Sequence, residues 1–134
     1  MTNEAVKVEL YGANNDGNPI RYTCASGTAI AKGTLLKFSG DNTVAAHDGE
    51  GNVIAGIAAM DKANNDYSTT ISVWTDGTFE MAGSGILLGG PVGPGMDANT
   101  VSGVLESGSG AQVIGYAREA FGATRGTANV RVKL

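Results

Sequence analysis

Gly56-Ile57-Ala58 and Gly115-Tyr116-Ala117 open two stretches that run in step, without a gap, to Thr70-Ile71-Ser72-Val73 and Asn129-Val130-Arg131-Val132. The offset is 59 residues at both ends, from 56 to 115 and from 70 to 129. Upstream, Ile30 to Val44 runs in step with Leu87 to Val101 at an offset of 57, with Gly33 on Gly90 and Asn42-Thr43-Val44 on Asn99-Thr100-Val101. A two-residue difference in the intervening loop joins the two registers. The chain therefore reads as two imperfect copies of one unit.

The unit is β. Val6 to Tyr11, Leu35 to Phe38, Val53 to Met60, Tyr67 to Trp74, Thr100 to Leu105, Gln112 to Ala120 and Thr127 to Leu134 read as short strands, and Tyr67 to Trp74 is rich in Thr, Ile and Val. Turn formers separate them every 8 to 12 residues, the pattern of a β-sandwich or barrel. Asp76-Gly77 reads as a hairpin turn after the strand that ends at Trp74, and Glu106 to Gly110 and Gly122 to Gly126 read as loops. No stretch holds a 3.6-residue period for three turns. Gly supplies 21 of 134 residues, about twice the average share and without a triplet period, as turns and bulges require. Gly56 lies inside an apolar strand, where another backbone is expected to pass close.

The fold class is thus all-β: a compact β-sandwich or barrel built from two imperfect repeats of short strands, with an N-terminal arm. Residues 1–24 form the arm and an edge strand. Residues 25–134 form a single β domain, with repeats of about 25–81 and 82–134. In the arm, Val6, Val8 and Leu10 alternate with Lys7, Glu9 and Tyr11, a strand with one apolar face. Gly12-Ala13-Asn14-Asn15-Asp16-Gly17-Asn18-Pro19 follows as a polar, turn-forming loop.

The charge is −4 and the nine Lys and Arg are dispersed, whereas nucleic-acid binding needs a concentrated basic face; no nucleic-acid partner is expected. No run approaches the roughly 20 apolar residues of a membrane helix, so no membrane partner is expected either. The N-terminal residues lack the basic and apolar regions of a signal peptide, and the protein is expected inside a cell or in something assembled there. A lone Cys24 makes no internal disulfide and reads as a small buried residue.

Candidate chemistry is sparse. Gly27-Thr28-Ala29-Ile30-Ala31-Lys32-Gly33-Thr34 superficially matches a phosphate loop, but Lys32 precedes Gly33 and no helix follows. Asp48-Gly49-Glu50-Gly51-Asn52 and Asn14, Asp16, Asn18 have the alternating oxygens of calcium loops, yet the twelfth positions are Ala59 and Ala25. His47 reads as an exposed loop residue, unable to build a zinc site with Cys24 alone. No Gly-x-Ser-x-Gly elbow occurs. No catalytic, cofactor or metal residue is assigned, and no enzyme is expected.

Ser26-Gly27-Thr28-Ala29-Ile30-Ala31-Lys32-Gly33-Thr34-Leu35-Leu36, Val53-Ile54-Ala55-Gly56-Ile57-Ala58, and Gln112-Val113-Ile114-Gly115-Tyr116-Ala117 followed by Ala128-Asn129-Val130-Arg131-Val132-Lys133-Leu134 resemble the capsid decoration, or cement, proteins of tailed bacteriophages. The resemblance covers roughly residues 20 to 134. It implies a non-catalytic homotrimer on the outer surface of a phage head, assembled in the host cytoplasm, that bridges major capsid protein subunits. Strand addition suits such a role, and Val6, Val8, Leu10 and Tyr11 are the capsid-contact candidates. The alternative is a β-sandwich binding module, for carbohydrate or another ligand, on a virion or larger assembly. Its marker would be Trp74 and Tyr67 exposed side by side.

Overall fold

The computed structural model describes residues 4–49, 51–84, 86, 88–103, 112–120 and 126–134. The loops expected at 106–110 and 122–125 lie outside the described residues. Every regular element among the described residues is a strand: β1 (Val6–Leu10), β2 (Ile20–Thr23), β3 (Leu35–Gly40), β4 (Thr43–Ala46), β5 (Ile54–Ala58), β6 (Thr70–Trp74), β7 (Asp76–Ser84), β8 (Pro91–Pro94), β9 (Thr100–Gly103), β10 (Gly115–Ala117) and β11 (Gly126–Lys133).

These strands close into two five-stranded rings. In the first the order is β2-β4-β3-β5-β6, and β6 returns to β2. In the second it is β7-β11-β10-β8-β9, closed by β9 on β7. The pairings correspond one to one. Each ring has one parallel contact, Thr23 opposite Thr43 and Ala82 opposite Thr100, and its other contacts are antiparallel. The repeat in the sequence is therefore a repeated barrel, and closure removes open sheet edges from both copies. β2, grouped above with the N-terminal segment, closes the first ring between β4 and β6.

Asp76-Gly77 is not a hairpin. β6 belongs to the first ring and β7 to the second, and Thr75 alone joins them. Asp76 begins β7, paired with Lys133 of β11, and its carboxylate is taken by Arg131 and Asn18. Gly77 is required by crowding: a Cβ there would sit 2.8 Å from the Glu9 carbonyl oxygen and 3.0 Å from the Phe79 ring.

The cores follow from strand parity and one bulge. Leu36, Val44, Ala55, Ala58, Ile71 and Val73 point into the first barrel with Cys24 and Ile30. Leu35, Ile54, Ile57 and Trp74 point out of it and join Phe79, Met81, Val92, Val101, Ile114, Val130 and Val132 in one continuous core with the second barrel. Ile54 and Ile57 are three residues apart and would face opposite sides of a regular strand. Opposite them, Leu36 pairs with Gly56 and Lys37 with Ile54, so Ala55 is bulged and the parity resets. Gly56 permits this, since a Cβ there would lie 2.4 Å from the Trp74 carbonyl oxygen. Its counterpart Gly115 faces the Arg131 carbonyl oxygen more closely still, at 1.9 Å from the same imagined carbon.

Candidate functional site

β1 is the one described strand that belongs to neither ring. It lies along the first half of β7, with Val6 opposite Glu80, Lys7 opposite Phe79, Glu9 opposite Thr78 and Leu10 opposite Gly77, and with a bulge at Val8. Among the described residues β7 is its one strand neighbour, so its outer edge is open. It is fastened at both ends: the Ala5 N–H bonds the Gly33 carbonyl at 2.8 Å, and the Tyr11 N–H bonds the Asp76 carbonyl at 3.2 Å. Gly33, in the stretch that looked like a phosphate loop, has φ +91° and leaves no space for a Cβ beside the Ala5 carbonyl. That glycine serves docking of the N-terminal strand.

The four residues singled out on β1 divide into two pairs. Val6 and Val8 are 57% and 51% exposed, on a strand whose outer edge is open. Leu10 packs on the shared core. Tyr11 lies under the Arg131 guanidinium, 4.4 Å from ring centroid to carbon, and its hydroxyl is 3.1 Å from Thr78 Oγ1 and 3.2 Å from Glu9 Oε1. Arg131 donates in turn to Asp76, whose second oxygen accepts from Asn18 Nδ2. Leu10 and Tyr11 thus anchor the strand, while Val6 and Val8 face solvent.

The loop after β1 is also packed down. Gly17, at φ +80°, sits against the Trp74 indole, and its carbonyl accepts the N–H groups of Thr75 and Asp76. Trp74 is covered as well by Lys32, whose ammonium lies 5.5 Å from the ring centroid, and by Phe79 at 5.7 Å. It is 8% exposed, whereas Tyr67 is 77% exposed. The paired aromatic platform that would mark a sugar site is not formed by these two residues. Asp16 Oδ1 accepts the Asn18 N–H within the loop that resembled a calcium site. Asn52 Oδ1 likewise accepts the N–H groups of Asp48 and Gly49 in the other.

His47 is not the exposed loop residue expected. It is 1% exposed, with Nε2 2.9 Å from the Gly95 carbonyl oxygen and Nδ1 accepting the Asn99 N–H at 3.2 Å. Burial pulls its pKa below the usual 6.5, outweighing backbone hydrogen bonds to Gly95 and Gly49 and the Asp48 charge, which act upward. The polarity of the 47–52 segment concealed this, because the partners are main-chain groups of the other ring. Gln112 makes a second link between the rings: its side-chain amide accepts the Ile54 N–H and donates to the Ile54 carbonyl, as a neighbouring strand would. Lys62, read as part of a polar loop, is 3% exposed and caps the Ser26 and Thr28 carbonyls at 3.1 and 2.9 Å.

On the outer face of β10 and β11 a shallow cleft of ≈ 410 Å³ is lined by Val113, Gly115, Tyr116, Arg131 and Lys133. No group of three His, Cys, Asp or Glu able to hold a metal occurs among the described residues. No helix among them is long and apolar enough to cross a membrane.

The sequence model of the phage cement protein family matches residues 15–134 of this chain. No curated protein matches it.

Proposed function

Matched from residue 15 to residue 134, the chain belongs to the phage cement protein family, and from that premise we propose that it clamps the outer surface of a phage head as a homotrimer, bridging neighbouring major capsid protein subunits. A structural role on the phage capsid follows from the family. The finer reading is of a protein that catalyses nothing and is assembled onto the head in the host cytoplasm.

The observation that carries it is the contrast between two closed barrels and one open strand. Among the described residues ten strands have neighbours on both sides within the rings, with β2 meeting β4 at Thr23 and Thr43, whereas β1 has a neighbour on one side and offers main-chain groups along its other edge, flanked by the exposed Val6 and Val8. An open edge with apolar side chains is where an extended segment of another chain adds to a sheet. The rest of the molecule suits a clamp under load: the rings share a core across their junction, so force applied at β1 is carried into both. One such contact is modest, but three held in a trimer gain from effective concentration.

The test is retention on heads. Purified protein is mixed with expanded, empty phage heads, and the bound fraction is counted after sedimentation, alongside its native mass in solution. Saturable binding and a three-subunit mass support the proposal. A monomer that stays in the supernatant refutes it.

A further inference from the structure

We propose, on the homotrimer reading above, that the cleft on β10 and β11 receives the turn between β3 and β4 of a second copy, so that the junction between the two rings of one chain is repeated from chain to chain.

The junction inside the chain joins two unlike faces. The first ring gives Leu35, Ile54, Ile57 and Trp74, which point out of it and are buried. The second ring gives the turn between β8 and β9, with Pro94, Gly95 and Asn99 buried, and the side chain of Gln112. The two meet directly. Asn99 Oδ1 accepts the Leu35 N–H at 3.0 Å, and the Gln112 amide bonds both main-chain groups of Ile54.

Because the rings are copies, each carries both faces, and one of each is left over. Ile57 lies opposite Leu35 on one side and Trp74 on the other; Tyr116 lies opposite Pro91 and Arg131 in the same way. Val113 stands two residues before Gly115, as Ile54 stands two before Gly56. The second ring's version of the buried face is therefore Pro91, Val113, Tyr116 and Arg131, and the last three line the open cleft. Ile57 is 0% exposed and Tyr116 is 56% exposed.

The other unused face is on the first ring. Phe38 lies opposite Val44 as Pro94 lies opposite Val101. Val53 stands three residues before Gly56, as Gln112 stands three before Gly115. Phe38, Val53 and Asp41 at the tip of the turn are all exposed. The Phe38 N–H bonds the Val53 carbonyl at 2.9 Å, which sets the two side by side.

The leftover faces fit each other by different chemistry from the junction. Pro91 has no N–H to give an asparagine, and Val53 has no amide, so those hydrogen bonds are not repeated. Instead Phe38 and Val53 bring apolar surface to Val113 and Tyr116, and Asp41 brings a carboxylate toward the exposed Lys133 at the cleft. Unlike faces join head to tail, and such a contact either closes into a ring or runs on as a filament. Three copies closed through it set six barrels about one axis.

Cysteines placed at the expected contact test this in the full chain. Gln112 touches Ile54 within the chain, so Val53 of one copy is expected beside Val113 of the next. Val53→Cys co-expressed with Val113→Cys and treated with a short bismaleimide should give a covalent two-chain product about tenfold above either variant alone, because the contact is heterologous. A chain with both substitutions should give a closed three-chain product. Cys24 is buried and common to all, and the parent reports its reaction. Val53→Asp should keep the parent's unfolding midpoint and lose its three-subunit mass, whereas Val6→Ser with Val8→Ser should keep that mass. A three-subunit parent with no product above the single variants overturns the proposal and leaves the homotrimer reading standing. Equal product from one variant alone means that like faces meet, and overturns it as well. A Val53→Asp trimer that fails only to stay on heads gives this face to the capsid, with the same result. A monomeric parent overturns both.

Discussion

Asn42 and Asn99 hold the same position in the two barrels, both with left-handed backbone (φ +51° and +61°), yet Asn42 is exposed and Asn99 is 2% exposed. The repeated Asn-Thr-Val is thus a backbone requirement in both copies, since asparagine tolerates this conformation better than other residues with a Cβ. In the second copy it is also a joint. Asn99 accepts the Leu35 N–H on its side chain and gives its own N–H to His47. Asn42→Ala is expected to cost about 1 kcal/mol, the conformational part alone. Asn99→Ala adds a buried N–H on Leu35 without its acceptor and should cost about 2–4 kcal/mol. Urea denaturation of the two variants decides this, and equal losses would falsify the assignment of Asn99 as a joint.

The paired glycines Gly56 and Gly115 yield a steric prediction. Each faces a carbonyl oxygen of the adjacent strand, of Trp74 and Arg131, at distances no Cβ accepts. Backbone cannot rotate aside as a side chain can, so Gly115→Ala should destabilise by about 3 kcal/mol, at the upper end of overpacking effects. Gly27, with nothing within 4 Å of its imagined Cβ, is the control, and Gly27→Ala should stay within about 0.5 kcal/mol of the parent. Thermal unfolding of both resolves the contrast. A mild Gly115→Ala would mean that β10 and β11 shift apart easily.

These same positions explain what could be read from the sequence. The repeat was visible at Asn42-Thr43-Val44 and at Gly56-Ile57-Ala58 because the backbone tolerates few residue types there, and both copies meet the same demand. β2 and β7, the strands that close each ring, show no such likeness. Their place is set by pairing on both sides, which many sequences satisfy. Asp76-Gly77 misled because a turn signal is local, and here the carboxylate answers to Arg131 far along the chain. The alternation of Val6, Val8 and Leu10 identified β1, but not that Leu10 and Tyr11 are anchors, since the core and guanidinium that hold them come from β7 and β11. His47 and Gln112 were illegible for the same reason: their partners are main-chain groups, which no side-chain pattern records.

The division of β1 into anchors and free residues predicts which variants affect folding and which affect binding. Val6→Ser with Val8→Ser removes apolar groups that are already half in water and should change stability by about 0.5 kcal/mol or less. Tyr11→Ala removes the ring beneath Arg131 and the hydroxyl bonded to Thr78, and should cost about 1–2 kcal/mol. Head retention should follow the opposite order, with the valine pair losing more than its stability explains. Denaturation and sedimentation with heads, run on the same preparations, give both quantities. A valine pair that binds as the parent does would remove β1 from the contact surface.

The single histidine makes the acid side of the stability curve simple to read. The folded pKa of His47 is depressed below 6.5 by burial, so the folded state resists the proton and the unfolded state takes it. Above pH 6.5 both states are neutral at this residue and it adds no pH dependence. As the pH falls through 6.5 the unfolded chain gains a proton the folded one refuses, and stability declines toward a limiting slope of about 1.4 kcal/mol per pH unit until the folded pKa is reached. Asp48 has the same sign in a lower window: its carboxyl is held below 3.8 by Lys37 and Asn52, so its contribution is present above that value and is lost as the pH falls through its folded pKa. Urea midpoints measured from about pH 7.5 to about pH 5.5 therefore isolate His47. The parent should lose stability across that interval and His47→Gln should not. Parallel curves for the two proteins would mean that the imidazole reaches water in the folded state, contrary to its place between Gly95 and Asn99.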